Sequence, residues 1–467
     1  MKVEQLYTGC LAEAAYYIES NGEAVIIDPL REVEPYLERA KADNAKIKYV
    51  METHFHADFV SGHLELAKET GCTIVFGPTA QPNYKAYIAK DKEEFKVGNA
   101  TIVVLHTPGH TMESTTYLLR DENGKDYAIF TGDTLFLGDV GRPDLAVKTD
   151  LTREDLAGHL FNSLHTQLMP LSDDVIVYPG HGAGSACGKK MSKETWGYLG
   201  DQKRTNYALR PMTKAEFVKE VTTGLVDPPQ YFPKNAVMNK MGYESIETVR
   251  HKGIKPLSVR AFKAAWEGEN ALVIDTRHQE VFAHGFIPGS IFIGIDDNFA
   301  PWVGALITDL QVPILFVCEP GREQEVVDRL ARVGYDNPIG YLEGGFNTWL
   351  AAGEDVDTVQ EVNVTDIVEL YKRNINILDV RRESEFNSQH VVGAVNFPLD
   401  FINKNMQMLD RDKQYFLHCM GGYRSMIAIS ILKARGFDKL VNVEGGFNTL
   451  MDSNIPKTDF VEQNTEL

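Results

Sequence analysis

The chain has 467 residues, too many for one hydrophobic core, and domains of roughly 100–200 residues predict two to four of them. Apolar residues make up 43% and charged residues 24%, the balance of a soluble globular protein. A net charge of −19 argues against a nucleic-acid or anionic-membrane partner, and neither a signal-peptide core at MKVEQLYTGC nor a run of about 18 apolar residues is present.

In chain order, five short apolar runs read as strands, each ending in a turn that carries His or Asp: AVIID at 24–28, KYVME at 48–52, TIVVLH at 101–106, YAIFTGD at 127–133 and VIVYPGH at 175–181. Ligand-type side chains at strand ends along one rim suit a two-sheet sandwich flanked by helices, over residues 1–235. Asp28, closing the first run before Pro29, reads as a structural strand-end carboxylate. The stretch Asp227 to Pro256, with DPPQYFPKNA, reads as a proline-rich connector, with the linker at 236–257.

Beyond the connector the sequence repeats. YLEGGFNTW (Tyr341 to Trp349) returns as NVEGGFNTL (Asn442 to Leu450), and Cys318 returns as Cys419, 101 residues on. VIDTR ending at Arg277 returns as ILDVR ending at Arg381, so a three-residue loop change falls between the anchors. Two tandem domains follow, 258–355 and 360–460. In the second, INILDV, YFLHC and LVNVEGG read as strands and SMIAISILKARG as a helix up to Gly436, an alternation that predicts an α/β domain with a mostly parallel sheet. Five widely spaced cysteines (Cys10, Cys72, Cys187, Cys318 and Cys419) fit a reducing cytoplasm better than a disulfide framework.

The polar turns of the first domain form one ordered set: THFHAD at 53–58, TPGH at 107–110, TGD at 131–133 and YPGH at 178–181. One such motif alone is weak, since a lone His is more often a satisfied core or surface residue. All four in order resemble the metal-binding signature of the metallo-β-lactamase fold, an αββα sandwich. Where that signature normally places a histidine for a second metal, this chain has Phe59. A benzyl group cannot ligate, so a site that usually holds two zinc ions is biased toward one ion.

GDTLFLGDVGRPD (Gly132 to Asp144) and YPGHGAGSACGK (Tyr178 to Lys189) narrow the resemblance to the persulfide dioxygenases of that fold. The resemblance implies one Fe(II) per chain held by His54, His110 and Asp133. Two imidazoles and one carboxylate leave three positions open, the arrangement of non-haem iron oxygenases, whereas zinc has no redox chemistry to offer O2. His56, Asp58 and His181, which would serve a second metal in a two-zinc hydrolase, are read as orienting ligands or water by hydrogen bonds, with a weak second metal left open. Arg142 matches the arginine the family uses near its thiol substrate, the alternative being a loop arginine. Cys187 either holds substrate sulfur or lines the pocket. Stand-alone dioxygenases typically carry an aromatic residue soon after the histidine matching His181, which leaves the substrate thiol open.

The two repeats resemble rhodanese domains, so that the resemblance to a fused persulfide dioxygenase–rhodanese spans nearly the whole chain. In YFLHCMGGYRSMIAISIL, Cys419 stands before a glycine turn and a helix N-terminus, with Arg424 five residues on. A helix end contributes about 0.3–1 kcal/mol, against about 1.36 kcal/mol per pKa unit. The dipole alone therefore lowers a thiol by roughly one unit, and Arg424 and the turn amides must help to make a good thiolate. Asp379, Arg381 and His390 read as structural. In the first copy, CEPGREQE puts Glu323 where Arg424 stands, and Glu319 and Glu323 should raise the Cys318 thiol. Its turn reads one residue short, and the copy reads as degenerate and structural.

Joined, these expectations describe an enzyme that oxidises a low-molecular-weight thiol persulfide with O2 to sulfite, then combines it with sulfane sulfur on Cys419 to give thiosulfate. A homo-oligomer fits acidic enzymes of this architecture. Two rivals stay open: a glyoxalase-II-like di-zinc thioester hydrolase with accessory rhodanese domains, and a sulfur-carrying or sensing module that docks protein partners.

Overall fold

The structure, a computed structural model, describes residues 1–146 and 151–462. The chain divides into two compact units, one holding Met1–Ile246 and the other Glu247–Leu330 with the chain from Tyr335.

The first unit holds two six-stranded sheets. One runs β1 (Lys2–Thr8), β2 (Glu13–Ser20), β3 (Glu23–Ile27), β4 (Lys46–Glu52), β5 (Thr73–Phe76), β6 (Tyr87–Ile88) in that order. The other comprises β7 (Glu94–Val97), β8 (Ala100–His106), β9 (Thr115–Arg120), β10 (Asp126–Gly132), β11 (Ile176–Pro179) and β12 (Gly197–Tyr198), in the order β12-β11-β10-β9-β8-β7. The continuous apolar runs are explained by burial on both faces. Val25 and Ile27 of β3 and Ile102 and Val104 of β8 share the core between the sheets. Ala24 and Ile26 turn outward to Tyr36 and Leu66 of the helices Glu34–Ala42 and His63–Thr70. Val103 and Leu105 turn to Leu160 and Phe217 of the helices Arg153–Ser163 and Lys214–Thr222. The predicted αββα sandwich is present.

The stretch expected as a linker, 236–257, is largely helical, in Phe232–Met241 and Ile246–Gly253, and the division between the two units falls within it. Proline in the first turn, here Pro233, lacks only an N–H that would be unbonded anyway. Within this connector the proline signal marks a helix start.

The second unit contains the two repeats, each a five-stranded parallel sheet of identical order. The first has β13 (Pro256–Leu257), β14 (Leu272–Asp275), β15 (Ile291–Phe292), β16 (Ile314–Val317) and β17 (Pro338–Leu342), ordered β13-β17-β16-β14-β15. The second has β18 (Gln360–Val362), β19 (Asn376–Asp379), β20 (Val395–Asn396), β21 (Tyr415–His418) and β22 (Leu440–Val443), ordered β18-β22-β21-β19-β20. Cys318 and Cys419 follow the central strand of each sheet. One reading of the first copy changes. Its turn is not short: Glu323–Arg332 starts one residue later relative to its cysteine than Tyr423–Ala434 does. No helix among the described residues is long and apolar enough to cross a membrane.

Candidate functional site

The polar turns of the first unit converge on one rim of the sandwich, where β3, β4, β8, β10 and β11 end. His54, His110 and Asp133 are buried there, with one ligand atom of each within 4.8 Å of the others. Asp133 Oδ2 lies 3.5 Å from His110 Nε2 and 3.9 Å from His54 Nε2. That oxygen is buried without a hydrogen-bond partner, a costly state that a cation between the three groups would relieve. The donor set therefore fits a metal ion.

Each imidazole is oriented from behind. His110 Nδ1 lies 2.9 Å from the Arg142 carbonyl, which can only accept, so this nitrogen carries the proton and Nε2 is the free ligand. The TPGH turn itself is held by Ser163, whose hydroxyl donates to the Pro108 carbonyl at 2.7 Å. Thr53 supports His54: its hydroxyl donates to Asp28 Oδ2 at 2.8 Å and so accepts from His54 Nδ1 at 2.9 Å. Asp28 is thus the structural strand-end carboxylate expected, and it also takes the Thr53 N–H at 2.7 Å. Gly132, at φ +46°, lets the TGD turn approach this pair; a Cβ there would stand 2.4 Å from Thr53 Oγ1. Burial, with His56 close by, holds His54 well below the usual histidine range, in the neutral form that ligates.

The spare ligand-type residues sort into two further groups. His181 lies between two carboxylates, its Nδ1 2.7 Å from Asp133 Oδ1 and its Nε2 2.7 Å from Asp58 Oδ2. Burial opposes a charged ring, but Asp133 and Asp58 outweigh it and raise His181 well above its usual range. His56 faces away from the first group, with Nε2 3.1 Å from Asp28 and 3.5 Å from Glu52, and Phe59 packs on its ring at 4.3 Å. Phe59 is fully buried.

Cys187 is buried with its sulfur in one group with Asp58 and His181. Burial and the carboxylates of Asp133 and Asp58 push its thiol well up. Arg142, expected near the thiol substrate or as a loop arginine, is buried beside the Cys187 loop. Its Nε and Nη2 each donate to Asp144 at 2.7 Å, Nη1 donates to the Ala186 carbonyl at 3.3 Å, and Nη2 also reaches the Val226 carbonyl. Here the buried guanidinium ties loops together, and the residue serves the site through its carbonyl on His110.

Several supports carry no motif signal. Asn239 Nδ2 donates to the carbonyls of His56 at 2.8 Å and Phe59 at 2.7 Å, while Oδ1 accepts from Ser61 N–H at 2.9 Å. Asp139 is fully buried and accepts from the Lys190 N–H at 2.6 Å and the Tyr207 hydroxyl at 2.9 Å, fixing the loop after Cys187. Glu13 is buried with neither carboxyl oxygen bonded, and burial pushes it well up. Of these three, Asp139 alone lies within a conspicuous stretch of sequence, GDTLFLGDVGRPD.

In the second unit the cysteine loops differ as their sequences do. Cys419 Sγ accepts the Gly422 N–H at 3.0 Å at the start of the helix Tyr423–Ala434. Arg424 makes a two-pronged ion pair with Glu385 at 2.6 and 2.8 Å. Asp379 binds Arg381 at 2.9 and 2.6 Å, repeated by Asp275 and Arg277 in the first copy. His390 bonds the Phe386 carbonyl at 2.7 Å, away from the cysteine loop. Cys318 is buried, and burial, Glu323 and Asp275 push its thiol up to about 12, with Glu319 adding to them.

Residues 8–181 match the metallo-beta-lactamase superfamily, and residues 258–352 and 365–452 match the rhodanese-like domain. The chain is 32% identical over 181 residues to a probable hydroxyacylglutathione hydrolase of Schizosaccharomyces pombe, covering 38% of this chain and 66% of that protein. It is 29% identical over 161 residues to persulfide dioxygenase ETHE1, mitochondrial, of Homo sapiens, covering 34% of this chain and 59% of that protein. It thus spans just under two thirds of either relative. A metallo-beta-lactamase from Staphylococcus aureus subsp. aureus COL has the same architecture over 73% of this chain and 98% of its own, with TM-score 0.64 and 30% identity.

Proposed function

Because the chain belongs to the metallo-β-lactamase superfamily and carries two rhodanese-like domains behind that fold, we propose that it oxidises a thiol persulfide with O2 and transfers sulfur through Cys419. One observation carries this reading. Among the described residues, His54, His110 and Asp133 bring two imidazole Nε2 atoms to one unpartnered carboxylate oxygen, while both His181 nitrogens are bonded and Phe59 packs on His56. A two-imidazole, one-carboxylate set suits one Fe(II), which would supply the electron sharing with O2 that zinc cannot.

The balance is simple. One low-molecular-weight persulfide, one O2 and one water give the thiol, sulfite and two protons, four electrons passing from the terminal sulfur to O2. Thr53 and the Arg142 carbonyl keep the two ligand imidazoles in one tautomer throughout. The Cys419 thiolate attacks the outer sulfur of a second persulfide, and the thiol leaves. Sulfite then attacks that sulfur, the bond to Cys419 breaks, and thiosulfate departs with the thiolate restored. The Gly422 N–H stabilises negative charge on Sγ at the start and end of this cycle. Cys419→Ser should keep O2 uptake and switch the product from thiosulfate to sulfite; unchanged thiosulfate output would defeat the coupling.

The identity with a probable hydroxyacylglutathione hydrolase favours a second reading, di-zinc thioester hydrolysis. It requires Asp58 and His181 to exchange their mutual hydrogen bond for a second ion. Metal analysis of anaerobically purified protein separates the two: about one iron per chain for oxygenation, two zinc ions for hydrolysis.

A further inference from the structure

The first rhodanese-like copy has no thiol that ionises near neutrality, yet it touches the working loop of the second at several points. Tyr423, the residue between Gly422 and Arg424, donates its hydroxyl to the Gly294 carbonyl of the first copy at 2.8 Å. Its ring meets Phe292 edge-on, with centroids 5.7 Å apart at 73°. Two turns along the same helix, Ser430 Oγ accepts the Phe292 N–H at 2.9 Å. Gly294 permits this approach: a Cβ there would stand 3.1 Å from Tyr423 Cε2 and 3.0 Å from Phe292 Cζ. The helix whose N-terminal amide holds Cys419 Sγ is therefore seated on β15 of the neighbouring copy.

Gln279 adds a second contact. It opens the helix Gln279–His284 of the first copy, and its Nε2 lies 3.9 Å from where a Cβ on Gly422 would stand. Gln279 is half-buried. An amide N–H beside the residue that binds Cys419 Sγ is a neutral donor suited to an oxyanion.

We propose that the first copy completes the sulfur site of the second: Tyr423 pins the Cys419 loop to it, and Gln279 donates to an oxygen of the sulfur oxyanion that accepts or delivers sulfur there. Tyr423 is a positioning residue, and Gln279 is a binding residue. The proposal rests on the reading of Cys419 as a sulfur carrier.

Three full-length variants test it. In Tyr423→Phe, the pH midpoint of Cys419 alkylation by iodoacetamide, followed by mass spectrometry, should rise by about half a unit or more, because a loosened loop holds the sulfur less well. Sulfur-transfer kcat should fall several-fold with KM for sulfite unchanged. In Gln279→Glu, KM for sulfite should rise about tenfold, by charge repulsion and loss of the donor. Gln279→Ala should fall between. Equal thermal melting of all variants shows that the fold is kept. An unshifted alkylation midpoint in Tyr423→Phe overturns the anchoring, and an unchanged KM in Gln279→Glu overturns the donor. If the wild-type protein transfers no sulfur, the carrier reading fails, while the alkylation midpoint still decides the anchoring.

Discussion

Thr53 offers the sharpest test of how the metal centre is built. Its hydroxyl links Asp28 to the ligand His54, donating at 2.8 Å and accepting at 2.9 Å. Thr53→Val keeps the shape and removes both bonds. Losing the partner that orients a ligating histidine costs about 10–100-fold in metal affinity, or about 1.4–2.8 kcal/mol. The metal-free protein should also suffer, since Asp28 Oδ2 and His54 Nδ1 are left buried without this partner, at about 1–3 kcal/mol each. Asp28 keeps the Thr53 N–H and the contact with His56, so the lower end applies, about 2 kcal/mol in total. For a unit of this size that is a melting shift of roughly 4–8 °C. Chelator competition with the metal-loaded protein gives the affinity, and calorimetry of the stripped protein gives the shift. Thr53→Ser, which restores the oxygen, should recover most of both. A Val variant that binds metal within threefold of wild type would refute the relay.

Other expectations follow from neighbouring contacts. Asn239→Ala removes three buried hydrogen bonds to the loop 56–61; about 2–4 kcal/mol of stability should go with them, and denaturant unfolding would show it. Cys318, with its thiol pushed up to about 12, should resist alkylation at pH 8 and react about tenfold faster per pH unit above that, because only the thiolate attacks. Labelling of Cys318 at a rate matching Cys419 at pH 8 would contradict this. Phe59→His exchanges a ring that cannot ligate for one that can, and zinc-loaded protein should then move from about one ion per chain toward two; a stoichiometry left at one would mean that the His181 bonds, not Phe59, set the count.

What is legible in the sequence is local. The rim motifs are short and sit where apolar strands end, so spacing alone assigns THFHAD, TPGH, TGD and YPGH to the ends of β4, β8, β10 and β11. The repeat declares the two parallel sheets in the same way. What stays hidden is long-range. Asn239 reaches back to the carbonyls of His56 and Phe59 from a helix whose prolines make it resemble a linker, and no motif surrounds it. The direction in which His56 points is also unreadable, because it depends on carboxylates of two different strand ends, Asp28 and Glu52. Arg142 stands out as a residue but not in its role as a loop tie, since Asp144, only two positions on, already takes its fork.

The geometry also changes what Phe59 means. A missing ligand by itself only weakens a second site, and three other ligand-type residues stand near enough to compensate. The hydrogen bonds decide the matter more than the missing imidazole does. His181 holds Asp133 Oδ1 with one nitrogen and Asp58 with the other, which leaves Asp133 Oδ2 as the oxygen turned toward His54 and His110. Phe59 packs its ring on His56, whose Nε2 lies 3.1 Å from Asp28. The same carboxylate then continues through Thr53 to His54. A residue that cannot bind metal thus supports the group that can, through one ring contact, the His56–Asp28 contact and two hydrogen bonds.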